Sequence, residues 1–328
     1  MKYDDDLEII NNLLPGLDLI KEKDFDLFEN RIFAEKVLKY FSEATDNIRA
    51  KLNIELLFAF RLRQNFNARA HKENDKYIII INHGTVDQLS KIIQDSISIF
   101  KRENIVAITG LPTDEDILLE LFIYLISSYL FYHEFAHILQ LSFDKRIDSY
   151  TFQEEYDNTS TYNFTNHVYE MDADLFGIAI GTILILQYID DNKLPKNYVT
   201  LYNLLTLYIL IVANIFIAFS KNITSIYYKN FLHPHPIIRV INCVEQIINI
   251  VSQNTRIDTP FFESILERYS KILDVMHLKA ESVLIYSDVV KQNLGDILNY
   301  IDEIENSNEQ FKELARHRVN EIYDLLGD

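Results

Sequence analysis

The sequence predicts a mainly α protein with one small β-sheet, an α+β arrangement, and three observations lead there. With only 7 Gly and 6 Pro in 328 residues, the chain carries few of the residues that interrupt helices. Its apolar content, 48%, is gathered into long runs and is enough to bury a large core. Strand-type residues concentrate between 54 and 83, above all in the β-branched run Ile78-Ile79-Ile80-Ile81. Residues 1–250 are expected to form the main domain and 251–328 a helical C-terminal extension, with no repeat or low-complexity linker between them.

In chain order, residues 1–50 read as amphipathic helices interrupted early at Pro15-Gly16. Asn65 to Ala70, the polar turn from Lys72 to Asp75, and Tyr77 to Asn82 read as a hairpin. The Tyr77 to Asn82 segment is a candidate edge for pairing with an extended peptide, and its isoleucines equally suit a central strand. Thr113 follows Pro112 and precedes Asp114, Glu115 and Asp116, which reads as the N-cap and acidic first turn of a helix over about 113–142. Asp157 to Thr161 is loop-like and is expected to rim a cleft, and a second helix is expected over about 167–188.

The stretch 199–220 has no charged residue and is long enough to cross a bilayer of about 30 Å. Asn203, Thr206 and Asn214 within it, and the lack of a basic cluster on either flank, favour instead a helix packed behind the first two. The runs Leu121 to Tyr132 and Leu175 to Ile189 read as too short to span. From about 254 onward amphipathic helices return, Ile301 to Leu326 among them, as packing or oligomerisation surface.

The chemistry is concentrated in His133-Glu134-Phe135-Ala136-His137. Two histidines four apart on a helix present both imidazoles from one face to one metal ion, and the glutamate beside the first can serve as a general base toward the metal's open side. The flanking chain is free of charge from Leu121 to Tyr132 and from Phe135 to Phe143, as a buried metal helix should be. A catalytic zinc site needs a third protein ligand, and Glu170-Met171-Asp172-Ala173-Asp174 supplies candidates. Glu170, Asp174, Gly177 and Gly181 share one helical face, so Glu170 is expected on the metal and Asp174 behind a ligating histidine, with the glycines admitting the first helix closely. Asp172 points elsewhere and is expected to face solvent or bond locally.

This pattern resembles the glutamate-type zincins (gluzincins), whose ligands are two histidines and a downstream glutamate. Glu170-Met171-Asp172-Ala173-Asp174 is similar to the corresponding segment of HtpX-like and CAAX-processing peptidases. Leu232-His233-Pro234-His235-Pro236-Ile237-Ile238-Arg239-Val240 resembles the His-Pro segment and following arginine of those families. In element order the chain also resembles the Lit group of phage-exclusion proteases, over roughly residues 60–245.

The resemblance implies a zincin-like metallopeptidase core with helical extensions, a Zn2+ cofactor bound by His133, His137 and Glu170, and hydrolysis of a peptide bond in a cellular protein. It further implies an oxyanion-stabilising His233, with His235 as the competing candidate, and a substrate-binding Arg239 that could instead form a plain salt bridge. The Lit likeness implies a role in phage defence with a translation elongation factor as substrate. The alternatives are a membrane-embedded HtpX-like peptidase and a non-catalytic zinc-binding sensor or interaction module.

Composition limits the other classes. A net charge of −18 argues against a nucleic-acid partner, since Arg61, Arg63 and Arg69 form only a small basic island. One cysteine, Cys243, excludes an internal disulfide framework, and the first residues lack a basic region leading into an apolar segment, so a cytoplasmic protein is expected. His71, His83, His167, His277 and His317 lack ligand spacing, and Tyr162 and Tyr169 lie near the site only in sequence.

Overall fold

The computed structural model describes residues 3–102, 115–143, 149–153, 161–191, 198–219, 225–254 and 286–326. The chain begins with α1 (Tyr3–Leu13), followed by a turn at Gly16, whose φ of +87° suits a residue without a Cβ. Helix α2 (Arg31–Leu52) starts where the Asn30 side chain accepts the Phe33 N–H at 3.1 Å, and it stops at Asn53, which adopts the left-handed conformation.

The strands β1 (Glu55–Arg61), β2 (Ala68–Glu73), β3 (Lys76–Asn82) and β4 (Ser149–Gln153) form a sheet in the order β1-β3-β2-β4. Strands β1 and β3 run parallel, and the other pairs are antiparallel. The hairpin between β2 and β3 is thus present, turning at Asn74 with φ 54°. Strand β3 lies between two partners and its isoleucines are buried, so the Tyr77 to Asn82 segment is a central strand and not a peptide-accepting edge. The outer side of β1 is covered by the N-terminal region: the Phe60 N–H donates to the Tyr3 hydroxyl at 3.0 Å, and the Ile20 N–H donates to the Phe60 carbonyl at 3.0 Å. Among the described residues, β4 is the outermost strand on the other side.

Helix α3 (His83–Arg102) follows β3 directly, and α4 (Glu115–Phe143) lies against the sheet. Aromatic packing sets that placement: Phe58 of β1 sits 4.9 Å from Phe41 of α2, which sits 5.3 Å from Phe131 of α4. The helices α5 (Phe164–Asp191), α6 (Tyr198–Phe219) and α7 (Pro236–Asn254) complete the main body. The expected N-cap Thr113 and residues 157–160 of the expected cleft loop lie outside the described residues.

Between 200 and 216, α6 is buried throughout except for half-buried Tyr202, and the Asn214 side-chain N–H donates to Ser96 Oγ on α3 at 2.9 Å. A helix facing lipid presents an apolar side outward, whereas this part of α6 is enclosed by protein. The apolar runs read as too short to span belong to longer helices. At 29 and 28 residues, α4 and α5 are long and apolar enough to cross a membrane by length and composition, although most of each apolar window is buried inside the protein.

The C-terminal region contains α8 (Tyr286–Ser307) and α9 (Val319–Leu326). The helical pattern from Ile301 to Leu326 is therefore broken, with short 3-10 turns at Asn308–Gln310 and Ala315–Arg318. Leu314 turns into an apolar cluster with Ile297, Tyr300, Ile301 and Ile304 of α8, Val168 and Met171 of α5, and Ile237 and Ile238 of α7. The backbone N–H groups of Ala315 and Arg316 bond to a side chain of α5 instead of continuing a helix.

Candidate metal centre

The site is made where α4 and α5 cross, and glycine permits the approach. A Cβ on Gly177 would lie 3.1 Å from the Tyr129 carbonyl oxygen and 3.3 Å from the His133 nitrogen. Gly181 serves a different contact from the one expected: its Cβ would lie 1.9 Å from the Tyr208 hydroxyl, so it admits α6.

Across the Gly177 contact, His133 and His137 from α4 meet Glu170 from α5, and one donor atom from each lies within 4.8 Å of the others. Glu170 Oε2 is 3.8 Å from His133 Nε2, and Oε1 is 3.6 Å from His137 Nε2. Those separations exceed hydrogen-bonding distance and approach the roughly 3.3 Å that donors take around a tetrahedral ion with bonds near 2.0–2.1 Å. His133, Glu134 and His137 are 1% exposed and Glu170 is 2% exposed. This buried His-His-Glu group could hold a metal ion.

The partners of the imidazoles favour that use. Asp174 Oδ1 stands 3.0 Å from His133 Nδ1, where a proton on Nδ1 would leave the Nε2 lone pair facing Glu170. Gln140 does the same for His137. Its Nε2 donates to the Tyr169 carbonyl at 3.1 Å and to Asp172 Oδ2 at 2.8 Å, which turns its Oε1 toward His137 Nδ1 at 2.8 Å.

Arg239, 1% exposed, donates through Nε and Nη2 to Asp174 at 2.7 and 2.8 Å, and its Nη2 lies 3.3 Å from Glu170 Oε2. Its guanidinium also sits over the Phe216 ring at 4.6 Å. Arg239 is therefore an internal clamp on Asp174, the salt-bridge alternative, and not an open anchor for a substrate carboxylate. Burial acts to raise the Asp174 carboxyl, but the Arg239 charge and hydrogen bonds and His133 hold it below the usual range. Glu170 is held well below that range as well. Burial opposes this, and the nearby His233, His137 and Arg239 outweigh it.

His233 Nδ1 lies 3.5 Å from Glu170 Oε1, beside the ligand group. His235 has another task, since its Nδ1 accepts the Ile237 N–H at 3.1 Å and its ring packs 4.9 Å from Tyr227. Burial lowers the His235 pKa to about 4.

Asp172 corrects an expectation. It does point away from Glu170, but toward the C-terminal region and not toward solvent. It is fully buried and accepts the Ala315 N–H at 2.6 Å, the Arg316 N–H at 3.1 Å and the Arg316 Nε–H at 2.8 Å.

Gln140 and Tyr129, whose hydroxyl donates to Asp174 Oδ1 at 2.8 Å, are site residues that sequence reasoning missed. Their signal was available: Gln140 is the polar residue three places after His137 in a charge-free run, and Tyr129 stands one turn before His133. His167 is also structural to the site. Its Nε2–H donates to the Phe231 carbonyl at 2.8 Å, and its Nδ1 accepts from the Tyr300 hydroxyl at 2.8 Å. Tyr169 donates its hydroxyl to Glu313 at 2.6 Å, and Tyr162 packs 5.1 Å from the His167 ring.

Comparison with protein-family models, with curated proteins and with solved structures finds no match to this chain.

Proposed function

We propose that the chain is a zinc-dependent endopeptidase with a zincin-like core. The observation carrying this reading is the convergence of His133, His137 and Glu170 from two crossing helices, with Glu134 next to the first histidine. A purely structural site has no use for that additional carboxylate.

Zinc, when bound by His133, His137 and Glu170, supplies Lewis-acid chemistry, acidifying water and polarising a carbonyl. Glu134 takes the proton from the attacking water and passes it to the departing amine. Asp174 keeps His133 in the ligating tautomer, and Arg239 fixes Asp174. His233 hydrogen-bonds the oxyanion, a role supported by its place beside Glu170, while His235 is committed to the Ile237 amide. A peptide held extended would pair with β4, the outermost described strand on that side of the sheet. Defence against phage, by cleavage of a translation elongation factor, is the biological role we attach to this activity on the Lit resemblance.

A second reading, a zinc-holding module without catalysis, is favoured by one observation: the ligand group and Glu134 are almost fully buried. The peptidase reading therefore requires the site to open for substrate to reach it. The two readings separate on Glu134→Gln. We expect this variant to retain zinc and to lose cleavage by about 10²–10⁴-fold. Proteome-wide mapping of new termini in cells expressing wild type or variant reads this directly, and identical termini in both would remove the peptidase assignment. Fractionation of the expressed protein addresses the membrane-embedded alternative.

A further inference from the structure

We infer that Gln140 and Asp172 are positioning residues for His137, and that the C-terminal segment 314–316 completes the metal centre by holding Asp172. The inference rests on the reading of His133, His137 and Glu170 as metal ligands.

At the C-terminal end, every group that meets Asp172 is a donor: the backbone N–H groups of Ala315 and Arg316 and the Arg316 Nε–H. A carboxylate so surrounded is an acceptor, so the Gln140 contact at 2.8 Å is an N–H donated by the amide. The Tyr169 carbonyl, which can only accept, fixes the amide in the same sense. With its NH2 committed on that side, Gln140 presents Oε1 to His137 Nδ1 at 2.8 Å, and the imidazole must carry its proton there. The remaining nitrogen, Nε2, then faces Glu170 with a free pair. Each link fixes the next, from residue 316 to the ligand.

The two histidines are thus held by two carboxylates of the same helix in different ways. Asp174 meets His133 directly, whereas Asp172, two residues earlier and on another side of α5, reaches His137 through the side chain of Gln140. Tyr169 to Glu313, and the apolar cluster around Leu314, dock the same C-terminal segment by separate contacts. The segment is therefore seated against α5 independently of the metal and can impose its geometry on the ligand.

The test is the zinc dissociation constant of the full chain, measured by competition with a chromophoric chelator, with circular dichroism of each metal-free variant recorded alongside. Gln140→Leu keeps the volume and removes the bridge, and a 10–100-fold weaker constant is expected. Nitrogen NMR of the metal-free protein is expected to place the His137 proton on Nδ1 in wild type and to show that preference lost in Gln140→Leu, a change that packing alone would not produce. Arg316→Ala removes only a partly exposed guanidinium from Asp172 and should weaken zinc in the same direction. Lys229→Ala, which removes a surface pair with Glu303, should change nothing.

If wild type binds no zinc, the metal reading falls and takes this inference with it. If wild type binds zinc and folded Gln140→Leu binds it equally well, the inference alone is overturned. Should Gln140→Leu not fold, an unchanged constant in Arg316→Ala overturns it. A folded Gln140→Leu in which the His137 proton keeps to Nδ1 also overturns it, because packing would then explain the loss without hydrogen-bond direction.

Discussion

Asp174 Oδ1 lies 3.0 Å from His133 Nδ1, while the same carboxylate takes two hydrogen bonds from buried Arg239. One side chain thereby faces the Nδ1 of a candidate ligand and neutralises a buried cation. Asp174→Asn keeps the shape and removes the charge. We expect zinc affinity to fall by about 10–100-fold and stability to fall by about 3–5 kcal/mol, because Arg239 is left buried without its carboxylate. Chelator competition and urea denaturation read the two effects, and a variant unchanged in both would remove Asp174 from the site.

The helix crossings make a prediction about size. A Cβ at Gly181 would fall 1.9 Å from the Tyr208 hydroxyl, and one at Gly177 would fall 3.1 Å from a backbone oxygen. Gly181→Ala is expected to cost about 1–3 kcal/mol by overpacking, with Gly177→Ala costing less. Urea melts of the two variants check the order.

Stability should fall on mild acidification. Burial lowers the pKa of both His167 and His235 from 6.5 to about 4, so the folded state holds them neutral where the unfolded chain protonates them. The folded pKa values are depressed, so this contribution is fully present above about pH 6.5 and is lost as pH falls toward 4, amounting to on the order of 3 kcal/mol for each histidine. Urea unfolding of the metal-free protein between pH 7 and 4 tests the sign. In the double variant His167→Gln with His235→Asn the slope should be reduced over that window.

Much of this site could be read from the sequence because its determinants are local. His133, Glu134 and His137 share one turn of helix, and the Glu170, Asp174 and Gly177 spacing is a single face of another. What the sequence did not reveal depends on distant pairing. Asp172 meets Ala315, 143 residues away, and no helical period signals that contact. The central position of β3 follows from its pairing with β1 across the intervening β2, and an isoleucine run suits either an edge or a centre. Gly181 was legible as a close approach, but not which helix it approaches, since α4 and α6 are both apolar there.

The central claim is that His133, His137 and Glu170 ligate one ion, and zinc K-edge X-ray absorption on stoichiometrically analysed protein tests it most directly. One zinc per chain is expected, with two imidazoles at about 2.0–2.1 Å and oxygen ligands at similar distance, and loss of the metal in Glu170→Ala. A chain that binds no zinc, or a Glu170→Ala variant with full occupancy and an unaltered spectrum, would contradict it.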